Sequence, residues 1–148
     1  MNLYRTNSLA TIHEIELTNT LDELARLHDW LTELSAIYSF HPRTMFRADL
    51  VLSELVTNII ENAYRDDLPH SIAVQVRYRD HQVEIAIEDD GVHFNPFDRE
   101  EFEGFTGLEE ASIGGVGIHL ARSYSDEYDY RRVGDKNRVT IIVHDRPA

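Results

Sequence analysis

Apolar positions recur along the chain with two different periods, and the switches between them mark out its elements. Residues 10–17 (ATIHEIEL) alternate loosely, as a short strand does. Leu21, Leu24, Leu27, Leu31, Leu34 and Tyr38 then fall at helical spacing, and Thr20 and Glu23 stand at the spacing of a capping box. His41-Pro42 ends that helix, and Pro42 suits the first turn of the next. From Arg43 to Tyr64, the residues Met45, Ala48, Leu52, Leu55, Val56, Ile59 and Ala63 form one apolar side, with Asp66, Asp67 and Pro69 as the stop. Residues 71–79 and 82–88 alternate cleanly, and Asp80-His81 between them predicts a tight hairpin. From Asp89 to about Ile113 neither period holds, and a long irregular segment in a compact domain is usually functional or disordered. Gly114-Gly115-Val116-Gly117 leads into a helix to about Tyr124. Two last strands, Glu127–Arg132 and Arg138–His144, are joined by Gly134-Asp135-Lys136-Asn137. Helices grouped beside a mostly antiparallel sheet predict an α+β fold: a two-layer α/β sandwich with three helices on one face, one domain over residues 1–148.

Charge and composition narrow the function. Acids outnumber bases 27 to 14, a formal net charge of -13. That balance argues against direct nucleic-acid binding, which needs a basic footprint, and fits a basic protein partner or a Mg²⁺-nucleotide. There is no cysteine, hence no disulfide framework, thiol nucleophile or cysteine zinc site. No apolar stretch approaches the about 20 residues of a membrane span, and the N-terminal residues lack an apolar signal segment, so a cytoplasmic protein is expected. The eight histidines form no HExxH pair, and no Gly-x-Ser-x-Gly elbow is present.

Three segments hold candidate chemistry. In the second helix Glu54, Asn58 and Asn62 lie four apart, so they form one polar line beside the apolar stripe. Their oxygens are hard ligands suited to Mg²⁺, and a carboxylate there can accept a proton. Glu61 and Arg65, also four apart, are expected to form a surface pair. In EDDGVHFNP (88–96), an acid at the end of a strand can accept from a ligand amine, and Gly91 allows close backbone approach. In GGVGIHLARS (114–123), glycines opening a helix expose backbone N–H groups that favour phosphate. No Lys-Ser or Lys-Thr follows, so this is not a P-loop, and its place in the chain is not that of a Rossmann fingerprint. Taken singly, the three match a solvated helix face, an acidic turn and a Gly-rich turn equally well.

In this order, together, they resemble the ATP-binding domain shared by gyrase-type ATPases, heat-shock chaperones and histidine kinases, the histidine-kinase-like (Bergerat) ATPase superfamily. Within it the chain is most similar to the small bacterial anti-sigma factor serine/threonine kinases. Glu54-Leu-Val-Thr-Asn58 matches the family's N box, Asp89-Asp90-Gly91 its first glycine box, and Gly115-Val116-Gly117-Ile-His-Leu its second. The resemblance implies that Asn58 holds Mg²⁺ beside the triphosphate of ATP and that Glu54 is the general base. It implies that Asp89 accepts from the adenine amine, that Gly91 lets the ring lie on backbone, and that Gly115, Val116 and Gly117 wrap the phosphates. Asn62 has a supporting role, and His93 to Ile113 would be a mobile lid, acidic from Phe97 to Glu110. The chain departs from the pattern where His93 stands at the Pro position and Asn95 at the Asp position of Asp-x-Gly-x-Pro-Phe-Asp-Pro. A histidine kinase is disfavoured, because little room precedes the second helix for a phosphoacceptor helix.

The expected activity is therefore phosphorylation of a serine or threonine on an anti-sigma-factor antagonist, together with sequestration of a sigma factor. Homodimerisation is expected from the family. The alternative is a regulatory binding module, with or without nucleotide, that has no kinase activity.

Overall fold

β-branched residues at alternate positions build strands here, and Leu- and Ala-rich stripes build the helices that cover them. The computed structural model describes residues 10–98 and 113–147. In chain order these residues form β1 (Ile12–Thr18), α1 (Glu23–Tyr38), α2 (Pro42–Asn62), β2 (Ser71–Arg79), β3 (Gln82–Asp89), a short 3-10 turn (Pro96–Asp98), α3 (Ile113–Tyr124), β4 (Glu127–Val133) and β5 (Lys136–His144). The strands make one sheet in the order β1-β2-β3-β5-β4, antiparallel at every pairing. The α+β sandwich expected from the patterning is the fold observed.

The core lies between the sheet and the helices. Ile72, Val74 and Val76 of β2, Val83, Ile85 and Ile87 of β3, and Val139, Ile141 and Val143 of β5 point inward. They meet Leu27, Leu31 and Leu34 of α1 and Ala48, Val51, Leu52, Leu55, Val56 and Ile59 of α2. Each fully buried Val, Leu or Ile side chain stabilises the fold by about 1.5–3 kcal/mol. α2, between the sheet and the neighbouring helices, is thereby fixed in rotation about its axis. Among the described residues no helix lies on the opposite sheet face. It bears a shallow trough of about 160 Å³ lined by Gln75, Arg77, Glu84, Ala86, Arg138 and Thr140, edged by ion pairs such as Arg77–Glu84 (2.7 Å).

Several element ends differ from the sequence reading, each for a visible reason. α1 starts at Glu23, not after a capping Thr20, and Leu21 is half exposed. Thr20 Oγ1 donates to Asp22 instead, while the Glu23 carboxylate accepts from the Thr18 N–H at 2.9 Å. α2 ends at Asn62 because its last carbonyls find partners outside the helix: Ala63 O accepts from Val92 N (2.8 Å) and Asn62 O from Arg65 Nη1 (2.9 Å). Arg65 is thus not the expected partner of Glu61. The hairpin at Asp80-His81 has both residues at positive φ (54° and 58°), the conformation a two-residue type I′ turn requires. The final hairpin turns on Gly134-Asp135 alone, with Gly134 at φ 63° and Val133 paired to Lys136. β5 therefore starts two residues before Arg138 and takes in Asn137. No helix of the described residues is long and apolar enough to cross a membrane.

Candidate functional site

Two of the three candidate segments meet at one end of the sheet. The inward-facing run of β3, Val83-Ile85-Ile87, continues to Asp89, so the carboxylate is carried indoors by the same alternation that buries the valines. Asp89 is 3% exposed. Its Oδ1 accepts from the Gly91 N–H (2.8 Å) and from Asn137 Nδ2 (2.9 Å), its register partner on β5. Burial pushes its pKa above the ordinary carboxylate range, against the opposing pull of those two donors.

Gly91 sits against the end of α2. A Cβ there would lie 2.5 Å from Ala63 O and 2.6 Å from Ala63 Cβ, closer than any side chain tolerates. Glycine at this position is thus demanded by the helix, whatever a ligand also demands. With the Val92 N–H on Ala63 O, the turn after β3 is stapled to the end of the helix that carries Glu54 and Asn58.

On α2 the polar line is not uniform. Asn58 is 2% exposed, and among the described residues neither its Oδ1 nor its Nδ2 has a hydrogen-bond partner. A buried amide left so costs about 1–3 kcal/mol. Glu54, one turn earlier, is partly buried, and its pKa is raised by that burial and then by the neighbouring negative charge of Glu61. Asn62, one turn later, donates from Nδ2 to the Asn58 carbonyl (2.9 Å) and so closes the last turn of the helix.

The third segment differs from expectation in one respect. Helix α3 begins at Ile113, so Gly115, Val116 and Gly117 lie in its first turns rather than in a loop before it. Residues 99–112, most of the expected lid, lie outside the described residues. The start of that segment is fixed by Asn95, whose Oδ1 accepts from Phe97 N (2.9 Å) and opens the 3-10 turn, and His93 lies near the Tyr130 ring (centroids 5.7 Å).

Asn137 was missed as a site residue because the sequence placed it in a turn. It is 2% exposed and joins four segments. Its Nδ2 donates to Asp89 Oδ1 and to Val92 O (2.8 Å). Its Oδ1 accepts from Tyr130 Oη (2.5 Å), Arg132 Nη1 (3.2 Å) and Phe94 N (3.3 Å). Arg132 Nη1 also donates to Gly91 O (2.9 Å). The one available signal was the inward parity of Asn137 with Val139, Ile141 and Val143, which reads correctly only once the turn is shortened.

A buried acid beside a glycine turn thus adjoins the helix that carries a buried amide with no partner among the described residues. The domain profile described as histidine kinase-like ATPase domain matches residues 17–143, a span that contains all of these groups. The chain belongs to the histidine kinase-like ATPase family. It is 25% identical over 133 residues to the serine/threonine-protein kinase BtrW of Bordetella bronchiseptica, a match covering 90% of this chain and 94% of that one. It is 28% identical over 93 residues to the anti-sigma F factor of Oceanobacillus iheyensis, covering 63% of this chain and 64% of that protein. In structure it resembles the RsbU and RsbW domains of Rv1364c from Mycobacterium tuberculosis. That match has a TM-score of 0.63 and 18% identity over 93% of this chain and 34% of the longer one, a likeness of fold.

Proposed function

We propose that this chain is an ATP-dependent serine/threonine kinase of the anti-sigma type, acting as a single domain. It would phosphorylate an anti-sigma-factor antagonist and sequester a sigma factor, in the cytoplasm and as a homodimer. Support comes from family membership, from the names carried by its relatives, and above all from one observation: Asn58 keeps a buried amide, unpartnered among the described residues, one helical turn from a partly buried glutamate.

The residues fit a Mg²⁺-nucleotide. No group of three or more His, Asp or Glu among the described residues could hold a metal alone, so the amide oxygen of Asn58 would share Mg²⁺ with phosphate oxygens and water. Bound there, the ion would neutralise charge on the triphosphate. Asp89 would accept from the adenine amine through Oδ2, since both bonds described above use Oδ1. The backbone N–H groups at the start of α3, around Gly115, Val116 and Gly117, would face phosphate. Asn62 would hold the last turn of α2 in shape for Asn58. Glu54 would take the proton from the partner's hydroxyl as its oxygen attacks the γ-phosphorus; the bond from that phosphorus to the bridging oxygen breaks and ADP leaves. Burial raises the proton affinity of Glu54 in the direction a base near neutral pH needs.

The test is to incubate the protein and Mg-ATP with small antagonist-like proteins and follow intact mass. Gain of one phosphoryl group on a serine or threonine of one of them supports the reading. Stable complexes with no phosphate transferred favour the binding-module alternative.

A further inference from the structure

The Asp89–Gly91 turn has a second attachment that the expected chemistry does not use. His70, in the connection from α2 to β2, lies between two carboxylates. Its Nε2 is 2.8 Å from Asp66 Oδ1 and its Nδ1 is 3.2 Å from Asp90 Oδ1. A neutral imidazole carries one N–H and can donate to only one of them; the other contact would then set a nitrogen lone pair against a carboxylate oxygen. Both contacts are attractive only for the imidazolium. The two nitrogens point to opposite sides of the ring, so the trio does not converge on a point and is not a metal site, in keeping with the lack of such groups among the described residues.

The ring has little freedom to turn away. It stacks on Tyr64 with centroids 4.3 Å apart and planes 18° from parallel. The His70 backbone is pinned to the end of β1: its N–H donates to Asn19 Oδ1 (2.9 Å) and its carbonyl accepts from Asn19 N (3.1 Å). Charged and titratable groups approach from each packed element. α2 and its exit supply Tyr64 and Asp66; the end of β3 supplies Asp90, while Asp89 acts on the stacked Tyr64; across the adjoining cleft β1 supplies Glu16, which accepts from Ser71 Oγ (2.8 Å). Arg65, the nearest cation in sequence, is engaged with the Asn62 carbonyl.

We propose that His70, as an imidazolium shared by Asp66 and Asp90, is a positioning residue that ties the Asp89–Gly91 turn to the exit of α2 and makes nucleotide affinity fall as pH rises. The proposal rests on the nucleotide reading above. The Asp66 contact raises the His70 pKa, and the same contact lowers that of Asp66. The latch is therefore complete below the ordinary histidine pKa and is lost as pH rises through the raised one. On deprotonation the remaining proton stays on the shorter contact, to Asp66, and Asp90 is released beside Asp89. Val92 and Asn137 still hold the turn, so the change in affinity is modest, about fivefold, at the low end of coupling between linked sites.

The experiment is calorimetry of Mg-ADP binding from pH 5.5 to 8.5 for the parent, His70→Gln and Asp90→Asn, with amide hydrogen exchange at Gly91 and Val92 over the same range. Expected are a parent affinity that falls about fivefold with pH, a flatter profile in both variants, and Gly91 and Val92 amides that lose protection with pH only in the parent. Comparison with His70→Gln removes the contributions of the nucleotide and of the other histidines, including His93. Equal pH slopes in parent and variants overturn the proposal. If Mg-ADP binds at no pH, the nucleotide reading fails, and the exchange profiles still decide the latch. If His70→Gln does not fold, Asp90→Asn carries the same comparison.

Discussion

Asn58 is costly to the folded chain as it stands. Its amide is buried without a partner among the described residues, beside Leu55, Val56 and Ile59, which gain from the same burial. Asn58→Leu, close in shape, is expected to stabilise the nucleotide-free protein by about 1–2 kcal/mol in urea unfolding while abolishing Mg-ATP binding. Loss of stability on that change would show that the amide has a structural partner. Asp89 allows a sharper exchange. Asn at 89 keeps an oxygen for Gly91 N–H and Asn137 Nδ2 and replaces the other oxygen by a donor. Asp89→Asn should therefore fold normally and lose ATP affinity by about 10- to 100-fold, the cost of opposing two donors, with GTP little affected. Calorimetry giving equal ATP and GTP affinity for the parent would refute the adenine assignment.

At the scale of elements, the helix end and the strand end are one unit. Gly91 lies so close to Ala63 that a Cβ would clash with it, and Asn137 ties β5 to both Asp89 and the following turn. Asn137→Ala strands the Val92 carbonyl and one bond to Asp89, and is expected to cost about 2–4 kcal/mol of stability in denaturant unfolding. It should also weaken ATP binding more than an equally destabilising change in α1, which packs on α2 and β1. Sequence periodicity carried the three helices and five strands well because burial on one face imposes it. Helical spacing also drew out Glu54, Asn58 and Asn62 as a polar line beside the apolar stripe, and the end of a clean alternation drew out Asp89; neither spacing told which of them is buried. Periodicity did not reveal Asn137, because a two-residue turn and a four-residue turn differ only in pairing register. Nor could it give His70: its partners Asp66 and Asp90 come together only when the end of β3 closes on the exit of α2. The capping box at Thr20 failed because Glu23 reaches further back, to Thr18, and the chain turns twice before the helix starts.

For the whole molecule, charge governs encounter. A net charge of -13 repels acidic surfaces and attracts basic ones at long range. Association with a basic sigma-factor surface should slow steeply as salt rises; a rate constant that stays level across a salt titration in stopped flow would remove electrostatic steering from the account. The central claim concerns the proposed division of labour on α2, in which Asn58 would hold the metal-nucleotide and Glu54 would move the proton. It is tested most directly by ATP affinities and single-turnover transfer rates for the parent, Glu54→Gln and Asn58→Ala. The account predicts that Glu54→Gln binds Mg-ATP and partner as the parent does while transfer falls by about 10²–10⁴-fold, and that Asn58→Ala loses nucleotide binding itself. Transfer by Glu54→Gln at the parent rate would contradict it.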